Sequence, residues 1–548
     1  MIHRTLLATL LAAALLAPAA AAQAPGPQPG TPEYVARDNQ NIADAYGRET
    51  APGGQLQNPN YAQAMTQEHG EVFWQQLGQQ LATPGRIALT PGNVFPGWNG
   101  GNPLRRGWAG RRGLRVPISY TNRYGALIRG DVFAPLPGAR DPYTGARLEP
   151  PYPGVVITTG SIQGSERMYW WLAEDLAERG YVVLTYDVQG QGTSETLPHQ
   201  NDQVNALPFC NPFAKPGDGE QFGCPGVPAQ QDSNFVYGTQ DALSFFLATP
   251  DAPYKNPNGG DTPVNAFNPL WKLFDRSPDT RTVTPGRTTR VAIIGHSLGA
   301  AAVSYVQGVD SRVETVVALD KLSAGDDGAI GPKNVKPVVP ALGVQSEYGF
   351  NVQPYWAAHG SSFAPQPGPP DQRPDPQREL KTGFAAWRKA GVDSMVVVPR
   401  ASTHLEYTDI ALVLPASRYG QDLTSVYTQA WLDRYLKHEG EPVPAAAKKK
   451  AKKRRHAKKH RARRHRRSAR RHRTRRREPV ARATANIGDP LLATSFRYLE
   501  PTAVGRWDPV TLDRAKLLSF YFCSGYAFHD RRTKQLVQSS DVAGVGGC

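Results

Sequence analysis

The chain has little of what marks a membrane, metal or nucleic-acid protein. Beyond its first residues no stretch approaches the roughly 20 uninterrupted apolar residues of a spanning helix. Cysteine is scarce: there are four, with no CxxC pair and no histidine at ligand spacing beside them. That excludes the usual zinc arrangements, and neither a metal nor a cofactor is expected. Positive charge is scarce too once one tract is set aside. Residues 448–477, "KKKAKKRRHAKKHRARRHRRSARRHRTRRR", hold 20 Lys and Arg and no acid, while the whole chain sums to +16, so the other 518 residues sum to −4. A nucleic-acid-binding fold spreads a basic field over its surface, and here the field is confined to the tract. Internal repeats are absent as well, which argues against a solenoid or a propeller.

What is present begins at the N-terminus. "MIHRTLLATLLAAALLAPAAAAQAPG" has a cation at Arg4, an apolar run from Leu6 to Ala17 and small residues ending near Ala22. This is the three-part layout of a secretory signal peptide over residues 1–22, too short to span a bilayer. The mature chain is expected to be exported, extracellular or associated with the cell envelope, with no integral membrane segment. In such an oxidising setting the four cysteines are expected to pair locally, Cys210 with Cys224 and Cys523 with Cys548. Each bond would add about 3 kcal/mol by restricting the unfolded chain.

The layout follows from periodicity. Residues 23–110 form a Pro/Gly-rich leader, expected to drape loosely on the domain that follows. From Gly113, "GLRVPISYTNRYGALIRGDVFAPLPG" gives two alternating runs about an Asn-Arg-Tyr-Gly turn, an antiparallel hairpin. Short, almost wholly apolar runs come next: "GVVITT", "YVVLTYD", "RVAIIG", "ETVVALD", "PVVPALGV" and "SMVVVP". Runs of that kind suit strands covered on both faces. Between them lie helical patterns such as "ERMYWWLAEDLAERG", "FVYGTQDALSFFLAT" and "TSVYTQAWLDRYLKH". The alternation predicts an α/β domain over 111–440, a mainly parallel sheet with the hairpin at one edge and helices on both faces. Residues 198–289 read as an insertion. Residues 441–486 are a Lys/Arg-rich linker, and 487–548 are apolar enough to pack back, closed by the second disulfide. The basic tract repels itself and has no apolar periodicity, so it is expected to stay disordered when free.

"VAIIGHSLGAAAVSY" carries the chemistry. Gly295-His296-Ser297-Leu298-Gly299 matches G-x-S-x-G directly after a buried strand and before a small-residue helix, the context of a nucleophile elbow. The tight turn needs glycine at Gly295 and Gly299, and it lifts the Ser297 hydroxyl above the strand ends. A serine hydroxyl needs a base, and the base needs an orienting carboxylate. The loop "RASTHLEYTDI", after the run "SMVVVP", presents His404 as the base. For the acid, "PALGVQSEYGF" offers Glu347 just beyond a strand, and this is the expected partner. Asp320, at the end of "ETVVALD", is the alternative, with Asp326 and Asp327 behind it.

This constellation resembles the α/β-hydrolase superfamily, in its serine esterase and lipase-like branch, across roughly residues 112–440. "TTGSIQGS" stands where that family has its oxyanion loop, with Thr159 in place of a frequent histidine. The resemblance implies that the backbone N–H groups of Ser161 and Leu298 receive the oxyanion. "YDVQGQGTSE" is similar to the family's D-x-x-G-x-G-x-S loop, with Asp187, Gly190, Gly192 and Ser194, and implies scaffolding. Glu347 stands where the family more often has Asp. Tyr169, Trp170, Trp171, Tyr348 and Phe350 are candidates for an apolar acyl pocket.

The expected activity is cleavage of a small-molecule or polymeric carboxylic ester through an acyl-enzyme. A serine peptidase or amidase on the same triad is the nearest alternative. A polyanion-binding protein acting through residues 448–477 is the alternative of another class; as an accessory, the tract would hold the hydrolase near an anionic surface.

Overall fold

The computed structural model describes residues 26–52, 55–82, 100–161, 165–196, 231–325, 331–409, 418–439, 489–530 and 533–548. The expected signal peptide 1–22, the Cys210–Cys224 loop, Asp326 and Asp327, and the linker 441–486 with its basic tract lie outside them. Among the described residues no helix is long and apolar enough to cross a membrane.

The strands, in chain order, are β1 (Gly113–Thr121), β2 (Leu127–Pro135), β3 (Gly154–Thr158), β4 (Val182–Tyr186), β5 (Val291–His296), β6 (Thr315–Leu319), β7 (Ala341–Val344), β8 (His359–Gly360), β9 (Pro365–Gln366), β10 (Ser394–Val397), β11 (Ser495–Ala503), β12 (Arg506–Asp513), β13 (Gly525–His529) and β14 (Leu536–Ser539). Ten of them form one sheet in the order β1-β2-β4-β3-β5-β6-β7-β10-β13-β14, while β8 pairs with β9 and β11 with β12. The six strands from β4 to β10 in that order run parallel. Antiparallel pairs close both sides, β1 and β2 at one edge, β13 and β14 at the other. The protein has an α/β fold with a mixed, mostly parallel sheet.

The helices are α1 (Pro32–Thr50), α2 (Pro59–Ala82), α3 (Trp170–Glu178), α4 (Asp232–Leu247), α5 (Leu298–Val309), α6 (Gly383–Lys389) and α7 (Arg418–Leu432). Because side chains alternate along a strand, β3 sends Val155 and Ile157 to one face and Val156 to the other. The first face joins Trp171 and Leu172 of α3 with Leu423, Tyr427 and Trp431 of α7. The second joins Phe235, Leu243 and Phe246 of α4 with Ala300 and Val303 of α5. Each large side chain fully buried in this way stabilises the fold by about 1.5–3 kcal/mol before ordering costs.

Three expectations about the layout change. The leader is not a loose drape: α1 and α2 occupy much of it. Thr31 caps α1 by accepting from the Tyr34 N–H, with Pro32 and Glu33 in the first turn, a start that suits an N-terminus. Second, 198–289 is not wholly an insertion, since α4 within it is a core helix against β3 and α5. Third, the C-terminal segment does more than pack back. It supplies β13 and β14, so β10 is not left as an open edge. The Cys523–Cys548 disulfide, with Cα atoms 6.1 Å apart, ties that segment beyond β14.

Candidate active site

The site is built at the C-terminal ends of β5, β6 and β10. β5 delivers the chain to Ser297, whose backbone takes φ 56° and ψ −123° at the mouth of α5. A positive φ is uncommon for serine and reflects the sharp strand-to-helix turn. Both flanking glycines are sterically required. A Cβ on Gly295 would come within 2.1 Å of the Gly299 carbonyl oxygen, and one on Gly299 within 2.4 Å of the Thr159 oxygen. Ser297 is partly exposed, and its N–H donates to Leu319 O at 2.9 Å.

That last bond brings the end of β6 beside the elbow. The register pairs His296 with Leu319, so Asp320 is the next residue out on the strand adjacent to the Ser297 turn. Its Oδ2 lies 2.7 Å from His404 Nδ1, and it also accepts from the Ser346 hydroxyl at 2.6 Å and the Ser346 N–H at 3.1 Å. Burial alone would raise the Asp320 carboxyl. The hydrogen bond and charge of His404, with the two bonds from Ser346, outweigh it and hold the carboxyl below its ordinary value. His404 is almost fully buried.

Glu347 is not the imidazole's partner, a correction to the expectation above. β6 and β7 pair Leu319 with Val344, so Glu347 lies three residues past its strand, one strand farther from the elbow. It turns toward other elements. Its Oε2 accepts from Asn41 Nδ2 at 2.8 Å and the Ala401 N–H at 2.7 Å, and its Oε1 from the Ser519 hydroxyl at 2.6 Å. Burial pushes this carboxyl above its ordinary value despite those donors. Two buried strand-end carboxyls are therefore pushed in opposite directions. Asp320 is held ionised against a histidine, and Glu347 serves as a junction among α1, the loop after β10 and the C-terminal segment.

The loop from Thr159 to Ser161 is positioned by polar contacts that the sequence did not disclose. The Gly160 N–H donates to the Tyr169 hydroxyl at 2.9 Å, and Gln191 Nε2 donates to Gly160 O at 2.9 Å. Tyr169 in turn lies 2.7 Å from His296 Nδ1, and His296 Nε2 lies 2.9 Å from the His404 carbonyl oxygen. A carbonyl only accepts, so Nε2 carries the hydrogen and Nδ1 accepts from tyrosine. Burial, then the nearby His404, pushes His296 down to about 3, so this ring stays neutral. A continuous chain of hydrogen bonds thus links the Thr159–Ser161 loop, the turn at His296–Ser297 and the loop of His404.

The remaining candidates divide cleanly. Asp187 is scaffolding: it accepts from the Glu166 N–H, the Thr193 N–H and the Thr193 hydroxyl, while the Ser194 hydroxyl donates to its carbonyl. Gly192 takes φ 51°, and a Cβ there would strike the Asp187 carboxylate. Trp171 is core, donating to Tyr407 O. Trp170 donates to Glu166 and stacks under Arg115. Tyr348 is buried against Asn41. Phe350 alone of the five is well exposed, and its ring meets His404 at 5.1 Å, edge to face. A second ring, Phe363, does the same at 4.8 Å. Its position in the turn between β8 and β9 carried no sequence signal.

A separate cavity of about 270 Å³ lies between α2 and α3, lined by residues including Glu71, Arg105, Arg167 and Glu174. It contains none of Ser297, Asp320 or His404.

No family model matches the chain, and no curated protein sequence does. Among 310 matching chains of known structure is a ferulic acid esterase from Streptomyces cinnamoneus, with 16% identity, 61% of this chain and 93% of that chain covered, and a TM-score of 0.34. A likeness that shallow transfers no residue roles.

Proposed function

We propose that the protein is an exported serine hydrolase of the α/β-hydrolase kind, cleaving carboxylic esters through Ser297, His404 and Asp320. The observation that carries this reading is the buried Asp320–His404 pair, 2.7 Å apart, on the strand beside a serine held in a strained elbow. The chain order Ser, Asp, His is the one expected for a nucleophile elbow of this type.

In this reading Ser297 Oγ attacks the ester carbonyl carbon while His404 Nε2 takes its proton. Asp320 fixes the imidazole through Nδ1 and stabilises the imidazolium. The carbonyl oxygen becomes an oxyanion received by the N–H groups of Ser161 and Leu298. Gly160 N–H is engaged with Tyr169, which leaves the Ser161 N–H as the donor this reading assigns from that loop. Collapse of the adduct breaks the C–O bond, and His404 gives its proton to the departing alcohol. Water then repeats the sequence on the acyl-enzyme. Each oxyanion donor contributes on the order of 3 kcal/mol in such a site.

Turnover of p-nitrophenyl acyl esters tests the reading. Ser297→Ala is expected to lower kcat by at least about 10³-fold; full activity in that variant would sink the proposal. Peptide anilides cleaved faster than short esters would move the assignment to an amidase on the same residues. The basic tract is proposed as an accessory contact to anionic surfaces, not as a part of this chemistry.

A further inference from the structure

We infer that Phe350 and Phe363 form the wall that receives the alcohol portion of the ester, and that the enzyme selects esters with an aromatic or bulky apolar alcohol. The inference rests on the triad proposed above and adds to it the side on which selection occurs.

The two rings cover the base from one side. Their centroids lie 5.1 and 4.8 Å from the His404 ring, at 70° and 76°, and 6.0 Å from each other. His404 is 2% exposed, whereas Phe350 and Phe363 are 45% and 41% exposed. Their outer faces are therefore apolar surface left in water beside a reacting group, an unfavourable arrangement unless a ligand covers it. The backbone holds them there. The His404 N–H donates to Gly349 O at 2.7 Å, next to Phe350. A Cβ on Gly349 would come within 2.0 Å of Ser362 O, so the β8–β9 turn that carries Phe363 rests directly on that loop.

Proton bookkeeping then decides which half of the substrate meets this wall. Asp320 occupies His404 Nδ1, leaving Nε2 to carry the proton. That proton must reach the alcohol oxygen as the C–O bond breaks, so this oxygen lies within hydrogen-bond reach of the ring. The carbon chain attached to it extends past His404, where Phe350 and Phe363 stand. The acyl chain leaves the carbonyl carbon, on the far side of the breaking C–O bond, in another direction.

The test uses pairs of esters differing on one side only. Ethyl and 2-phenylethyl acetate have alkanol leaving groups of similar acidity and differ in the alcohol; ethyl acetate and ethyl 3-phenylpropanoate differ in the acyl chain. The wild type is expected to favour the phenylethyl ester in kcat/KM by about 10-fold or more, the size of a moderate apolar discrimination. Phe350→Ala and Phe363→Ala should each reduce that alcohol ratio severalfold and leave the acyl ratio in place. Both are ratios on one preparation, so any loss of folded enzyme cancels. A flat alcohol ratio in the wild type, or substitutions that move only the acyl ratio, overturns the inference while Ser297-dependent hydrolysis still supports the proposed function. Hydrolysis of every ester at the same rate by wild type and Ser297→Ala overturns both.

Discussion

At the scale of single residues, a buried carboxyl stays ionised only where donors and positive charge outweigh the loss of water. Asp320 has that surplus and Glu347 does not, which separates their roles experimentally. Asp320→Asn keeps the shape but removes the charge that orients the imidazole, and kcat for p-nitrophenyl acetate is expected to fall by about 10³- to 10⁴-fold. Glu347→Gln should keep kcat within severalfold. Stability against pH gives an independent reading, because the signs are opposite. The Asp320 carboxyl is held down, so its contribution is present above its unfolded value and lost as pH falls through the folded one. The Glu347 carboxyl is pushed up, so its contribution is present below the ordinary value of an unfolded glutamate and lost as pH rises through its folded value. Glu347→Gln has no proton to lose there. The Tm of the variant minus that of the wild type should therefore become more positive between pH 4 and pH 8, by differential scanning calorimetry. A constant difference would mean that Glu347 is not buried against its charge.

At the scale of elements, the strands of the parallel sheet were legible because each is buried on both faces and reads as an unbroken apolar run. The elbow was legible because Gly295 and Gly299 are imposed by backbone collisions, which leave a fixed spacing in the sequence. The acid was harder. Asp320 and Glu347 both follow strands, and only strand order tells that β6, not β7, lies beside β5. The fact that Asp320 abuts its strand directly, with Glu347 three residues out, was the available signal. Helix α1 was hidden because its buried face mixes polar Asp38, Asn41 and Glu49 with Tyr34 and Ala45, so no unbroken apolar face marks it. Asn41 reaches Glu347 and the Tyr348 hydroxyl, and Asp38 accepts from the Tyr355 N–H and the Tyr521 hydroxyl. This helix braces the crossover from β7 to β10, which carries both phenylalanines. Asn41→Ala removes one of three donors to a fully buried carboxyl. It should destabilise the protein by about 1–3 kcal/mol, read as a lower urea midpoint with unchanged slope. A shift below about 0.3 kcal/mol would show that α1 is held by other contacts.

At the scale of the whole molecule, charge and topology bear on the same segment. The chain leaves the described residues at Glu439 and returns at Asp489. Arg434, just before the exit, is ion-paired with Asp489 at the return. Exit and re-entry are thus close in space, on the side of the sheet where α7 packs, and the pairing of Asp320 with His404 is made between described residues. Removing residues 448–477 takes the net charge from +16 to −4, a reversal of sign with no expected change in the core. The full-length protein should bind a cation-exchange matrix or anionic vesicles at low salt and be released steeply as salt rises, because bound counterions are displaced. The deletion variant should pass through both while hydrolysing p-nitrophenyl acetate at the parental kcat. Retention by the deletion variant would locate the anionic contact elsewhere on the surface. Loss of turnover would give the tract a part in catalysis that its distance in sequence and its chemistry do not suggest.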